Sequence, residues 1–222
     1  MCGSELGERA IRGNYDCFCS EACYDIYSTY QERISTAQEL IPPFYRNFDI
    51  SKTNQPEHVL EKVLNWDYKS PGLILYGESG CGKTFYASQL MLKLILIDGF
   101  YGKSIGVYMA GQFERELLSC FGSRARLNID DFIGRASRVP ILLIDDLGKE
   151  GNGDRNSGRF ETSFFQIVEN RIANMKPTII TTNYVGKTLE NRFNDMDTWN
   201  AIYRRFKDYY DTISFYRRNT NG

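Results

Sequence analysis

The chain has 222 residues, 42% of them hydrophobic and 25% charged, and a formal net charge of −1. That length suits one main domain with a small appendage and is enough to bury a sizeable core. The near-neutral balance excludes nucleic-acid binding driven by bulk charge, so any such contact needs a local basic patch.

Residues 1–30 read as a separate piece. The N-terminus carries acidic residues and no long apolar segment, so it is not a signal peptide, and no apolar run approaches a membrane span. A cytoplasmic location is the expectation. Of six cysteines, Cys2, Cys17, Cys19 and Cys23 crowd this piece. The run Cys17-Phe18-Cys19-Ser20-Glu21-Ala22-Cys23 resembles half of a treble-clef or FCS-type zinc finger, with Ser20 placed to cap a helix through Tyr24, Ile26 and Tyr27. Four thiolates close a tetrahedral zinc site. The spacing departs from paired C-x₂₋₄-C motifs, so three thiolates with a ligand from elsewhere, or reduced free cysteines, stand beside that reading.

Residues 31–70 form a helical connector. Gln31 to Leu40 has helical composition, and Pro42-Pro43 stops it. Phe44, Tyr45 and Phe48 are placed to pack on the main domain or to shape an adenine pocket. Pro56 to Trp66 reads as a second helix with Val59, Leu60, Val63 and Leu64 on one face. His58, the sole histidine, is assigned no chemistry.

Residues 71–222 alternate strands with helices. The predicted strands are Leu73–Tyr76, Ile105–Met109, Ile141–Ile144, Thr178–Thr181 and Ile213–Phe215, short apolar runs suited to a buried parallel sheet. Helices between them make right-handed crossovers, which gives a three-layer α/β domain. Residues 148–158, rich in glycine and polar side chains, read as a loop.

The first predicted strand runs into Gly77-Glu78-Ser79-Gly80-Cys81-Gly82-Lys83-Thr84, the G-x-x-x-x-G-K-T pattern of a P-loop, and a helix from Phe85 to Ile97 follows. In that setting the backbone N–H groups wrap a phosphate at a positive helix end. Lys83 reaches the β- and γ-phosphates, and the Thr84 hydroxyl is a magnesium ligand. A second signal is the apolar strand ending in Asp145-Asp146, a Walker B pattern. Asp145 suits magnesium, and Asp146 stands where a base polarises the attacking water. Thr178-Ile179-Ile180-Thr181-Thr182-Asn183 is a third, with Asn183 placed to orient that water. Ala201 to Phe206 carries Arg204 and Arg205, either of which can reach a neighbouring subunit's γ-phosphate as an arginine finger.

These stretches, together with Phe165–Arg171, resemble the DnaC/IstB-like branch of the AAA+ ATPases, which contains replicative helicase loaders and transposition ATPases. The Asp145-Asp146-Leu147-Gly148 ending and Lys176-Pro177-Thr178-Ile179-Ile180-Thr181-Thr182-Asn183 are the most specific to it, and the similarity covers residues 42 to 216. The resemblance implies a P-loop NTPase (AAA+, ASCE) sheet of order 5-1-4-3-2 without a C-terminal helical lid. It also implies ATP with magnesium at a subunit interface, and homo-oligomers. By matching position it favours Arg205 as finger, although Arg204 replaces a small residue of the family pattern. Arg217 and Arg218 follow the last strand, where relatives often carry a nucleotide-contacting arginine. The implied function is ATP-dependent loading of a replicative helicase onto single-stranded DNA, with slow hydrolysis and the N-terminal piece as a zinc-stabilised docking segment. Single-stranded DNA has a candidate groove in Arg115, Arg124, Arg126, Arg135 and Arg138, interleaved with Phe113, Phe121 and Phe132. The plainer reading of that region is an amphipathic helix with solvated arginines. The alternatives for the whole are a transposition ATPase of the IstB type and a nucleotide-switched adaptor with little turnover. A small-molecule kinase is disfavoured, because it needs neither Thr-Thr-Asn nor the arginine pair.

Overall fold

Short apolar runs that alternate between two buried faces belong to a sheet covered on both sides. The computed structural model of the chain, which describes residues 20–47, 55–121, 128–149 and 157–216, is built around such a sheet. Its strands are β1 (Gly72–Gly77), β2 (Ile105–Met109), β3 (Ile141–Leu147), β4 (Thr178–Thr182) and β5 (Tyr210–Phe215). All pairs are parallel, in the order β2-β3-β4-β1-β5, which is the predicted 5-1-4-3-2. Odd and even side chains part cleanly. Leu73, Leu75, Ile141, Leu143 and Ile179 enter one core, and Ile74, Leu142, Ile144 and Ile180 enter the other.

The first core is closed by α1 (Glu21–Leu40), α3 (Glu57–Leu64) and α4 (Lys83–Leu96), through Ala37, Val59, Val63, Leu90 and Leu94. The second is closed by α5 (Ala110–Ser119), α6 (Ile129–Arg138), α7 (Ser157–Ala173) and α9 (Met196–Tyr209), through Phe113, Phe132, Phe164, Trp199 and Ile202. Two short helices, α2 (Pro43–Arg46) and α8 (Lys187–Glu190), are also present among the described residues. Among the described residues no helix is long and apolar enough to cross a membrane.

Three elements differ from the sequence expectation. The two helical stretches on either side of residue 30 form one helix, α1, whose N-cap Ser20 accepts from the Cys23 N–H at 3.2 Å. β5 begins at Tyr210, three residues early, because Tyr210 is buried over Gly72. A Cβ on Gly72 would come within 2.0 Å of that ring. The exposed Asp211 and Thr212 hide this start on an edge strand. The basic and aromatic stretch splits into α5 and α6, and it buries Phe113 and Phe132 completely, their rings 5.2 Å apart. Helical spacing puts these phenylalanines on the inward faces. They cannot stack on bases, and this corrects the interleaved-groove reading. Arg115, Arg135 and Arg138 remain exposed. Cys2, Cys17, Cys19, Phe48, Arg124, Arg126, residues 150–156, Arg217 and Arg218 lie outside the described residues.

One side chain locks the end of the sheet remote from the P-loop. Arg171 of α7 is fully buried and donates five hydrogen bonds, to Thr178 Oγ1 (2.7 Å) and to the carbonyls of Ala136 (2.8 Å), Val139 (2.7 Å), Pro140 (3.4 Å) and Pro177 (2.6 Å). Burial pulls its pKa down to about 10, still far above neutral, so it stays cationic. Its planar fork spans the α6–β3 turn and the start of β4, a geometry an ammonium does not match. Arg171→Ala is expected to cost about 3 kcal/mol or more in urea unfolding, since it strands buried acceptors, and Arg171→Lys should recover less than half of that. A loss below about 1 kcal/mol for the alanine variant would rule out this role.

Candidate nucleotide-binding site

The site lies at the C-terminal ends of β1, β3 and β4, where a parallel sheet points its loops and helix N-termini. β1 ends at Gly77 and α4 begins at Lys83. Gly82 takes the N-cap position with φ +97°, a left-handed turn that other residues adopt only with strain, and no side chain caps the helix. An anion is the natural partner for such an uncapped helix start at the end of a glycine loop.

Lys83 is 4% exposed. Its ammonium donates to Gly77 O (2.8 Å), Glu78 O (2.8 Å) and Asn183 Oδ1 (2.7 Å). These acceptors are neutral, so a buried cation is held without a carboxylate hydrogen-bonded to it. That arrangement fits a phosphate. The Asn183 contact brings the predicted sensor to the P-loop lysine, from the residue just after β4.

The Walker B acids sit on a bulge. β3 pairs Ile144 with Ile180 and then Leu147 with Thr182, so it carries one residue more than β4. Asp146 takes φ +63° there. Two threonines of β4 serve the displaced backbone. Thr181 Oγ1 accepts from the Asp146 N–H at 2.9 Å, and Thr182 Oγ1 donates to Leu147 O at 2.7 Å. Thr181 Oγ1 also donates to Asp145 Oδ1 at 2.5 Å, and Thr84 Oγ1 donates to the same oxygen at 3.0 Å. Asp145 is 4% exposed, and burial above all pushes its carboxyl above the usual carboxylate range. A hydroxyl beside a buried carboxylate is a hard-oxygen donor set that suits magnesium. Asp146 is more accessible and pairs with Lys149 Nζ at 2.9 Å.

Sequence reading missed two further participants, Gln55 and Thr181. Gln55 donates to Cys81 O (3.0 Å) and Tyr216 O (2.5 Å), tying the P-loop to the residue after β5. No local pattern marks it. Thr181 belongs to the Thr-Thr-Asn exit, but only the β3–β4 pairing reveals its role. Tyr45 shows burial first, and the fields of Asp145 and Asp146 second, raising its phenol pKa, which puts its ring on the acidic side of the site. Its carbonyl accepts from Gln89 of α4 at 2.7 Å. Phe44 is 68% exposed, with its ring edge-on to that of Tyr45 at 5.3 Å.

Arg205 is not brought to this site within the chain. Its Nε donates to Glu169 of α7, and its guanidinium lies 5.3 Å from the centre of the Phe165 ring. The Glu169 hydrogen bond raises its pKa further. Arg204 is exposed on the same helix. Cys23 sits in the first turn of α1, and among the described residues no cluster of three metal-ligating side chains forms.

No protein-family model matches the chain. It is 26% identical over 161 residues to the replicative helicase loader DnaI of Bacillus subtilis (strain 168), a match that spans 70% of this chain and 49% of DnaI. The chain thus spans about half the length of the curated relative it matches. A crystal structure of DnaI is similar at a TM-score of 0.51 and 19% identity, over 84% of this chain and 85% of the other. The replication initiator DnaA bound to AMPPCP and single-stranded DNA is similar at 0.58 and 18% identity, over 79% of this chain and 50% of the other. These likenesses show a shared fold, a parallel α/β sheet with the glycine loop after its first strand.

Lys83→Ala and Asp145→Asn should separate binding from burial. The first is expected to abolish ATP binding in calorimetry, because a neutral methyl replaces the buried cation. The second should raise the melting temperature of the nucleotide-free chain, since the folded state disfavours the charged carboxylate at pH 7. The gain is roughly 2–4 °C per kcal/mol. It should also remove the additional stabilisation conferred by magnesium with ATP. Unchanged ATP affinity in Lys83→Ala would reject the P-loop assignment.

Proposed function

We propose that this chain, a DnaC/IstB-like AAA+ protein, is a magnesium-dependent ATPase that loads a replicative helicase onto single-stranded DNA during replication. The observation that carries the nucleotide part is the convergence of Lys83, Asn183, Thr84 and Asp145 through direct hydrogen bonds. The helicase part is supported by the identity to DnaI, itself a replicative helicase loader.

The chemistry follows from the residues. The P-loop N–H groups and Lys83 would take the β- and γ-phosphates, with Lys83 exchanging neutral acceptors for phosphate oxygens. Thr84 and Asp145 would hold magnesium, which supplies charge neutralisation on those oxygens when bound. Asp146 polarises the attacking water and Asn183 orients it. Arg205 comes from a second copy of the chain and stabilises the transition-state charge, so the site is complete only in a homo-oligomer. Reaching it costs Arg205 its Glu169 partner, a cost that supports slow hydrolysis in the free chain. The exposed Arg204 is the alternative finger. Single-stranded DNA is contacted by the charge of Arg115, Arg135 and Arg138, in a salt-dependent way.

The N-terminal piece is proposed as a zinc-stabilised docking segment that selects the helicase, with Cys2, Cys17, Cys19 and Cys23 as ligands. Metal analysis of the purified chain should then find stoichiometric zinc, reduced in Cys23→Ser. A zinc-free chain that still binds its helicase would reject the segment's metal role.

The functional test is capture of a purified hexameric helicase against a purified transposase, with and without ATP. ATP-dependent capture of the helicase is expected, and selective capture of the transposase would support the transposition reading. Turnover per subunit should rise with protein concentration. Arg205→Ala should lower turnover by about 10³-fold at nearly unchanged ATP affinity. If Arg204→Ala does so and Arg205→Ala does not, the finger is Arg204. Turnover independent of concentration would speak against a shared site.

A further inference from the structure

The Asp146 carboxylate is already engaged. Its Oδ2 lies 2.9 Å from Lys149 Nζ, while the Lys149 N–H donates to the Asp146 carbonyl at 3.2 Å, so the two residues close a turn on themselves. The β3 bulge and the positive φ of Asp146 set the direction of this turn. Thr181 Oγ1 fixes it by accepting the Asp146 N–H. Lys149 is the cation that faces the acidic pair from the Walker B exit, and its field also reaches Asp145. The Lys149 side chain is 44% exposed and that of Asp146 20%. The pair is therefore solvent-screened and weak enough to open.

We propose that Lys149 restrains the water-polarising carboxylate: while the Asp146–Lys149 pair is closed, Oδ2 faces an ammonium instead of water, and ATP turnover requires the pair to open. This deepens the proposed ATPase reading and rests on the role given there to Asp146. The restraint makes Lys149 a positioning residue. An anionic group that draws the ammonium away, such as a carboxylate on a bound partner protein, would raise turnover without touching the nucleotide.

The test uses the full chain, in excess over magnesium and ATP, in single-turnover hydrolysis, with ATP affinity measured separately. Lys149→Gln is expected to raise the hydrolysis rate about threefold, the size set by a screened ion pair, with ATP affinity unchanged. Lys149→Arg keeps the charge and should give a smaller gain. In an Asp146→Asn background, Lys149→Gln should add nothing, because the carboxylate it releases is gone. A rate that falls or stays level in Lys149→Gln overturns the proposal. So does an equal gain in the Asp146→Asn background, or a gain that comes with altered ATP affinity. Absence of hydrolysis by both the parent chain and Lys149→Gln, with ATP still bound, also overturns it. Failure of the underlying ATPase reading shows differently, as ATP binding that is absent or indifferent to Lys83→Ala.

Discussion

Between Ile144 and Leu147 strand β3 gains one residue against β4, and the site depends on how that irregularity is held. A bulge removes ladder hydrogen bonds in a buried place, where an unpaired N–H or C=O costs about 1–3 kcal/mol. Here Thr181 and Thr182 stand in for the missing ladder, one accepting from Asp146 and the other donating to Leu147. The same Thr181 hydroxyl donates to Asp145. One β-branched, rotamer-restricted side chain therefore fixes the backbone of one acid and the carboxylate of the other. Without the extra residue, strict alternation would send Asp145 and Asp146 to opposite faces of the sheet.

Lys83 poses the complementary problem. A buried ammonium is costly unless it is paired, and in this chain its hydrogen bonds end on carbonyl and amide oxygens and on the Cys81 sulfur. Asn183 is well suited to that temporary role. Its amide oxygen accepts from Lys83 but carries no charge that would compete with an incoming phosphate. An aspartate there would satisfy the lysine and repel the ligand. Asparagine at this exit would thus report whether the lysine is occupied by phosphate, which is the physical content of the sensor role proposed for it.

The sheet was legible in the sequence because each apolar run is short and bounded, and because its odd and even residues both needed cover. Its order came from the family resemblance, since periodicity does not reveal which strands are neighbours. Lys83, Thr84, Asp145 and Asn183 were legible because their spacing is local. Thr181 and Gln55 were not, since each acts across the chain, over 35 and 26 residues for their contacts to Asp146 and Cys81. Tyr210 was masked by the polar Asp211 and Thr212 beside it. The aromatics Phe113 and Phe132 misled for the opposite reason: interleaving in sequence says nothing of the face, and helical spacing turned both rings inward.

Helix α7 relates the site to whatever lies beyond it. At its C-terminal end Arg171 grips the turn that opens β3 and the residue that opens β4. Two residues earlier Glu169 holds Arg205 of α9. Near its start the buried Glu161 accepts the N–H groups of Asn194 (2.7 Å) and Asp195 (2.8 Å), the residues that lead into α9. One helix therefore anchors the Walker B strand, the sensor strand and the arginine-bearing helix. A hydrogen-bonded helix bends little over this length. A displacement of α9 at a subunit contact must then either break the Glu169 pair, which is partly exposed, or strain the Glu161 and Arg171 anchors, which are buried. The exposed pair is the weaker of these, so the proposed assembly should free Arg205 before it disturbs the strands that carry Asp145 and Asn183.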